Sequence, residues 1–473
     1  MVNNNKVNVP TIFVILGVTG DLSQREIIPA LFDLFTDGYL PDKFKIVGFS
    51  RRNMKEEEFE QFIKNIISKS RKHSSHKAKK FLDRTSYQQG FFNDIKTYRK
   101  ISDQLRTIDD GFGQCSNKLF YLAVPPIFYD VIFQNLHDSM LAKPCSDEAG
   151  WTRVLVEKPF GKDVKTAQKL DKKLGKLFKE EQIFRIDHYL AKETVQNILS
   201  FRFSNLIFEP IWNSKYIEKV EIKFLEDFDI RKRGDFYDNV GALRDVGQNH
   251  MLQMLALIAM GNPWEMKADL IRKKRDEIIK SIEPIKKEAL KERVVRGQYV
   301  GYKNSKGVHK NSKTETYFKM KVYIGHRRWK GVPFYLESGK ALNETKTEIN
   351  IYFKKIIPCF CAASHKEHEH RNLISFKIKP AEGIKIRFWA KNPGLNTDIE
   401  HKDFSFNYEE GTITEHDAYK KILLDCMKGD QTLFTDTKEV GAAWKFITPI
   451  INNWNHLKLY EYKKGSKGPG IGL

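Results

Sequence analysis

The sequence is poor in cysteine, and the few cysteines do not pair off. There are five, at Cys115, Cys145, Cys359, Cys361 and Cys426, scattered over 473 residues. A secreted disulfide scaffold is short and evenly paired, so the expectation is five reduced thiols in a cytoplasmic protein. Long hydrophobic runs are also scarce. The longest near the start, "TIFVILGV" (11–18), is too short to cross a bilayer and lacks the small-residue cleavage site of a secretory signal, so neither a membrane span nor a targeting segment is expected. With 29 glycines and 16 prolines there is no room for a collagen-like or low-complexity architecture. What remains is 41% hydrophobic and 30% charged, enough to bury cores in two or three domains.

Acid is in deficit. Asp and Glu number 60 against 81 Lys and Arg, a formal charge of +21. A basic surface draws nucleic acid, membranes and phosphorylated metabolites alike, so the charge points only to anionic ligands. The lysines are spread along the chain rather than gathered in a tail, and local concentrations such as "IRKKRDEIIK" (271–280) read as solvated helix faces. No nucleic-acid or membrane partner is expected.

Along the chain, "VPTIFVILGVTGDLSQREIIPALFDLF" passes from an apolar run through a glycine turn into helical spacing at Ile27, Ala30, Leu31 and Leu34. Apolar runs at 44–50, 118–126 and 152–159 alternate with helical segments, which predicts a parallel, doubly wound sheet over about the first 185 residues. From about residue 216 the segments "KYIEKVEIKFLE", "TYFKMKVYI", "KTEINIYFKK", "RNLISFKIKP" and "GIKIRFWA" predict a mainly antiparallel sheet with one solvated face. Helices are expected at 241–261, stopped by Gly261 and Pro263, and at 414–430. The fold class is therefore α/β followed by α+β, divided into 1–186 and 187–473.

The turn "GVTGDLS" places Gly17 and Gly20 between strand and helix, where backbone amides can approach a pyrophosphate. Its G-x-x-G-x-x-S spacing departs from the usual G-x-G-x-x-G and reads equally as an ordinary tight turn. The second strand ends "VGFSRR", and Arg51 and Arg52 in place of an acidic residue favour a 2'-phosphate, hence NADP. Lys158 in "LVEKPFG" sits where parallel strands meet a ligand crevice, or else merely snorkels. In "RIDHYLAKETVQN" (185–197), a helix starting near residue 187 sets His188 and Lys192 on one face as a cationic clamp, with the Tyr189 hydroxyl beside it and Asp187 left to orient a base. Asp187 reads alternatively as a helix N-cap. The candidate base is His250, on a helix whose Met251, Leu252, Met254, Leu255 and Ile258 are expected to be buried; a satisfied core histidine is the other reading. "CFCAASHKEHEH" (359–370) offers Cys359, Cys361, His365, His368 and His370, but its spacing matches no usual zinc site and a polar hairpin loop is expected, without metal.

Together "GVTGDL", "FYLAVPP", "VEKPFG", "RIDHYLAKETVQN", "RDVGQNHMLQML", "RGQYVGY" and "GVPFYLESGKALNE" resemble the glucose-6-phosphate dehydrogenase family, in order and approximate separation, along nearly the whole chain. The resemblance implies an NADP-binding N-terminal domain and a larger C-terminal domain that carries the substrate site and forms a homodimer or homotetramer through its sheet. It implies that His250 is the general base, that Asp187 holds its imidazole, and that no metal takes part. His188, Tyr189, Lys192 and Lys340 would grip the phosphate, and Lys158, Glu226 and Asp245 the sugar. Gly17, Thr19, Gly20, Asp21, Leu22, Arg51, Arg52, Pro125 and Lys158 would line the cofactor. The implied reaction is oxidation of glucose 6-phosphate to 6-phosphogluconolactone, which opens the pentose phosphate pathway. A related two-domain sugar oxidoreductase and a silent or anion-binding homologue stay open. Glu26 stands where the family usually has lysine, and Thr345 where it often has arginine. Lys379, in place of a polar amide, is expected to restore a positive charge near the phosphate. Gly247, inside the catalytic helix, is expected to cost about 1 kcal/mol and to loosen His250.

Overall fold

A computed structural model describes residues 8–69, 74–145, 149–231, 233–356, 370–395, 399–408 and 417–473. The chain forms two compact units. One comprises Met1–Gly161, Lys165–Ala191 and Thr414–Thr437; the other comprises Lys162–Val164, Lys192–Ile413 and Lys438–Leu473.

In the first unit, β1 (Thr11–Leu16), β2 (Phe44–Ser50), β3 (Thr85–Gln89), β4 (Asn117–Leu122), β5 (Thr152–Val156) and β6 (Ile183–Ile186) pair in parallel in the order β6-β5-β4-β1-β2-β3. Every residue of β1 and β4 is buried, as expected of strands covered by helices on both faces, and this is why they read as continuous apolar runs. The strand order reverses between β1 and β4, and the carboxyl ends of strands flanking such a point form a ligand crevice. Beyond the expected division near residue 186, the helix Asp417–Lys428 belongs to this unit and leads into a short strand that adds antiparallel to β6.

The second unit is built on β7 (Ile217–Leu225), β8 (Val294–Tyr299), β9 (Tyr317–Val322), β10 (Phe334–Gly339), β11 (Lys346–Phe353), β12 (Leu373–Lys379), β13 (Gly383–Lys391) and β14 (Ile399–Asn407). With β15 naming the short Phe434–Thr435 strand of the first unit and β16 the terminal Leu459–Tyr462, the order is β14-β13-β12-β11-β7-β10-β9-β8-β16. Most neighbours are antiparallel, but β7 with β10 and β8 with β16 are parallel.

The stretch expected as one helix over 241–261 is instead a π-helix over Leu243–Met251 that passes into an α-helix over Leu252–Ala259. All of Leu252–Ala259 is buried, so its last carbonyls have no water. Buried side chains supply their donors. Arg202 donates to Leu257 O at 2.9 Å and Met260 O at 2.8 Å, Trp212 to Ile258 O at 2.8 Å and Trp329 to Ala259 O at 2.7 Å, and the Arg202 charge also suits the negative end of the helix dipole.

Two expectations are corrected. Cys115 and Cys145 are joined by a disulfide, with Cα atoms 6.0 Å apart; they precede the neighbouring strands β4 and β5, and adjacent strand starts bring them together across a sequence separation of 30. Among the described cysteines Cys426 is free and buried. Nor does Gly247 loosen the helix. A Cβ there would lie 2.7 Å from Leu243 Cδ1 and 2.9 Å from Phe318 Cζ, so glycine permits close packing. Gly247→Ala is expected to destabilise, because overpacking of about 1–3 kcal/mol outweighs the helix-propensity gain of about 1 kcal/mol. Thermal denaturation checks this, and an unchanged or raised midpoint contradicts it.

Candidate active site

Within the first unit the sequence-predicted residues fall along one edge of the sheet, at the carboxyl ends of β1, β2, β4, β5 and β6. Gly17 follows β1 at φ 85°, and a Cβ there would press on Ala123 O beyond the end of β4, so only glycine closes this turn. The turn is braced by Gly20 N to Gly17 O at 2.8 Å, Ser23 Oγ to Gly17 O at 3.0 Å and Gln24 Nε2 to Thr19 O at 2.9 Å. Asp21 and Leu22 open the helix that follows. Thr19 Oγ1 donates to Ser50 Oγ at 3.2 Å, which ties the turn to the end of β2. There Arg51 and Arg52 are exposed, while the Tyr87 hydroxyl fixes the backbone by donating to Arg52 O at 2.5 Å. Pro125 is exposed after β4. A glycine cradle at the reversal point, next to two exposed guanidinium groups, fits a dinucleotide with an extra phosphate.

Lys158 follows β5, and Asp187, His188 and Tyr189 follow β6. The clamp does not have the expected helical spacing. Residues 187–192 form a turn in which Asp187 Oδ1 accepts from Tyr189 N at 3.1 Å and Asp187 O from Leu190 N at 3.0 Å. The helix begins only at Glu193, with Lys192 as its N-cap. An aspartate capping its own turn competes with helix formation, which is why the i, i+4 reading fails here. The His188 ring stacks on Tyr419, with centroids 6.1 Å apart and planes at 14°, a partner brought by the returning 417–428 helix.

Sequence reasoning missed Glu157, although "VEKPFG" contains it. Its carboxylate accepts from the Tyr121 hydroxyl at 2.6 Å, and its carbonyl accepts from Tyr129 at 2.8 Å. Burial pushes its pKa from 4.5 up to about 7, against the lowering effect of Tyr121 and Lys158. Glu157 thus anchors the strand end that presents Lys158.

Within the second unit, His250 is 1% exposed, and its ring stacks on Phe224 of β7, with centroids 6.1 Å apart and planes at 10°. Asp245 precedes it by five residues. In an α-helix that spacing puts side chains about 140° apart, whereas i→i+5 bonding brings them toward one face. Asn249 Nδ2 donates to Asp245 O at 3.0 Å. At the ends of β7 and β10, Glu226 and Lys340 form a short ion pair, and Lys340 lies over the rings of Tyr237 and Phe228, 5.3 and 5.4 Å from their centroids. Tyr237 is buried, and desolvation followed by Asp245 raises its pKa. Lys192 pairs with Glu382 at 3.8 Å, and Glu382 also accepts from Thr194 N at 2.9 Å. Lys379 is exposed at the end of β12, three residues before Glu382. Thr345 bonds Asp227, donating to Oδ1 at 2.6 Å. His370 lies with its ring 4.1 Å from Trp389, whereas Cys359, Cys361, His365 and His368 lie outside the described residues. Among the described residues no group of three or more His, Cys, Asp or Glu could hold a metal ion, and no helix is long and apolar enough to cross a membrane.

The Glu157 shift fixes a pH signature. Its folded-state pKa lies above its ordinary value, so ionisation opposes folding: the penalty is absent below about pH 4.5, grows through the interval to about 7 and is complete above it. Glu157→Gln keeps an acceptor for Tyr121. It is expected to match the unsubstituted protein near pH 4.5 and to exceed its stability by roughly 1–3 kcal/mol at pH 8. Urea midpoints at the two pH values check this; a difference that does not widen with pH contradicts it.

Residues 14–197 match the family described as glucose-6-phosphate dehydrogenase, NAD binding domain, and residues 199–471 match glucose-6-phosphate dehydrogenase, C-terminal domain. The chain is 38% identical over 467 residues to the glucose-6-phosphate 1-dehydrogenase of Borreliella burgdorferi, covering 96% of this chain and 94% of the relative. It is 38% identical over 486 residues to that of Chlamydia pneumoniae, covering 99% and 94%. A solved glucose-6-phosphate dehydrogenase in complex with its substrate glucose-6-phosphate superposes with a TM-score of 0.89 at 31% identity, covering 98% of this chain and 96% of that one. Levoglucosan dehydrogenase, at 9% identity and a TM-score of 0.54, shares the fold alone. The chain belongs to the glucose-6-phosphate dehydrogenase family.

Proposed function

We propose that this protein oxidises glucose 6-phosphate to 6-phosphogluconolactone with NADP, the first oxidative step of the pentose phosphate pathway. The observation that carries the reading is a buried imidazole on a π-helix that also carries Asp245 in its first turn, in a chain whose two halves match the two domains of this family. NADP, when bound, accepts a hydride at its nicotinamide C4. Gly17, Thr19, Gly20, Asp21, Leu22, Arg51, Arg52, Pro125 and Lys158 would hold it, and the guanidinium groups favour its 2'-phosphate.

His250 takes the proton of the C1 hydroxyl as hydride leaves C1, and Asp187 orients and charge-balances the imidazole. Lys158, Glu226 and Asp245 orient the sugar through its hydroxyls. His188, Tyr189, Lys192, Lys340 and Lys379 bind the phosphate, whose charge lies far from C1; its binding energy fixes the reacting carbon without stabilising the ground state at that centre. The protein works in the cytoplasm as a homodimer or homotetramer assembled through the sheet of the second unit.

Absorbance at 340 nm tests the reaction. Glucose 6-phosphate with NADP is expected to give NADPH, and free glucose far less; equal turnover of the two sugars contradicts the phosphate clamp. His250→Asn is expected to lower kcat by about 10²–10⁴-fold while substrate still binds in calorimetry, and retained turnover contradicts the base assignment. Lys379→Gln is expected to weaken glucose 6-phosphate binding several-fold, and an unchanged affinity removes Lys379 from the site.

A further inference from the structure

The π-helix that carries Asp245 and His250 begins inside the second unit, and its own N-cap, Ala242, offers no side-chain acceptor. A helix start leaves several N–H groups without intrahelical partners, and buried ones need an acceptor from elsewhere. Here one residue, 2% exposed and 72 positions from Leu243, supplies it twice. Glu315 accepts from Ala242 N at 3.1 Å through its backbone oxygen and from Leu243 N at 3.0 Å through Oε1. Its other oxygen, Oε2, accepts from Trp454 Nε1 at 2.8 Å, so both carboxylate oxygens are held. Gly241, at φ 74°, makes room: a Cβ there would collide with the Glu315 carboxylate. A buried anion beside the first amides of a helix also complements the positive end of the helix dipole.

We infer that Glu315, fixed by Trp454, is a positioning residue for the catalytic helix: a remote cap that sets the depth and rotation at which Asp245 and His250 are presented. It touches no substrate, and its effect runs through the first turn of the helix. The inference rests on the assignment of His250 as base, and the test separates the two.

The variants are Glu315→Ala, which removes both side-chain acceptors, Glu315→Gln, which keeps an amide oxygen for Leu243 N, and Trp454→Phe, which keeps the ring and removes the donor. Steady-state kinetics with glucose 6-phosphate and NADP are combined with hydrogen exchange of the 241–251 segment. Glu315→Ala is expected to lower kcat by at least tenfold, to leave the KM for NADP within twofold, and to speed exchange of 241–251 by at least tenfold. Glu315→Gln, which keeps the acceptor for Leu243 N but turns its NH2 toward the Trp454 Nε1–H donor, and Trp454→Phe, which only removes that donor, are each expected to fall between Glu315→Ala and the unsubstituted protein. A Glu315→Ala protein with kcat within twofold of the unsubstituted protein, whatever its melting temperature, overturns the inference. If the unsubstituted protein fails to oxidise glucose 6-phosphate, the functional assignment fails and exchange decides the cap: unchanged protection of 241–251 in Glu315→Ala overturns it, and faster exchange relieved in Glu315→Gln upholds it.

Discussion

A helix whose two ends lie in the protein interior has nowhere to send its unbonded amides and carbonyls except to other side chains, and the run Leu243–Ala259 meets that demand at both ends. At the C-terminal end Arg202, Trp212 and Trp329 donate to four successive carbonyls from Leu257 to Met260. At the N-terminal end Glu315 takes two amides. A cation at the carbonyl end and an anion at the amide end both oppose the helix dipole. Between them the wall of Phe224 and the close approach at Gly247 leave little freedom for rotation. The proposed general base needs a fixed direction more than it needs strength, and this packing supplies it.

The proposed cofactor site depends on a different constraint, the reversal of strand order between β1 and β4. Gly17 bends away from β1 at that point because no side chain fits beneath Ala123 O. The adjacent strand ends then bring Arg51, Pro125 and Lys158 to the same edge. Glu157 belongs to this arrangement as the buried carboxyl that ties the end of β5 to Tyr121 and Tyr129.

The parts legible in the sequence were those where local chemistry and tertiary structure agree. β1, β2, β4 and β5 are apolar on both faces, and the glycine turn after β1 has one conformation open to it. β3, "TSYQQ", is an edge strand with a mostly polar sequence and carries no such mark. His188 and Lys192 have helical spacing, but residues 187–192 form a turn because Asp187 bonds back to Tyr189 N. The π-helix, the Cys115–Cys145 bond and the return of 417–435 to the first unit arise from contacts between distant segments, and no local period encodes them. Glu157 and Glu315 were invisible for the same reason: a glutamate in a motif or a loop looks solvent-exposed until the structure buries it.

The central claim is that the buried imidazole of His250 faces the carbon that is oxidised. A crystal structure of this protein with glucose 6-phosphate tests it most directly. The account predicts the C1 hydroxyl about 2.6–3.2 Å from a ring nitrogen of His250, with Asp245 and Glu226 around the same sugar and Lys340 at its phosphate. A sugar bound with its C1 hydroxyl turned away from His250 would contradict it.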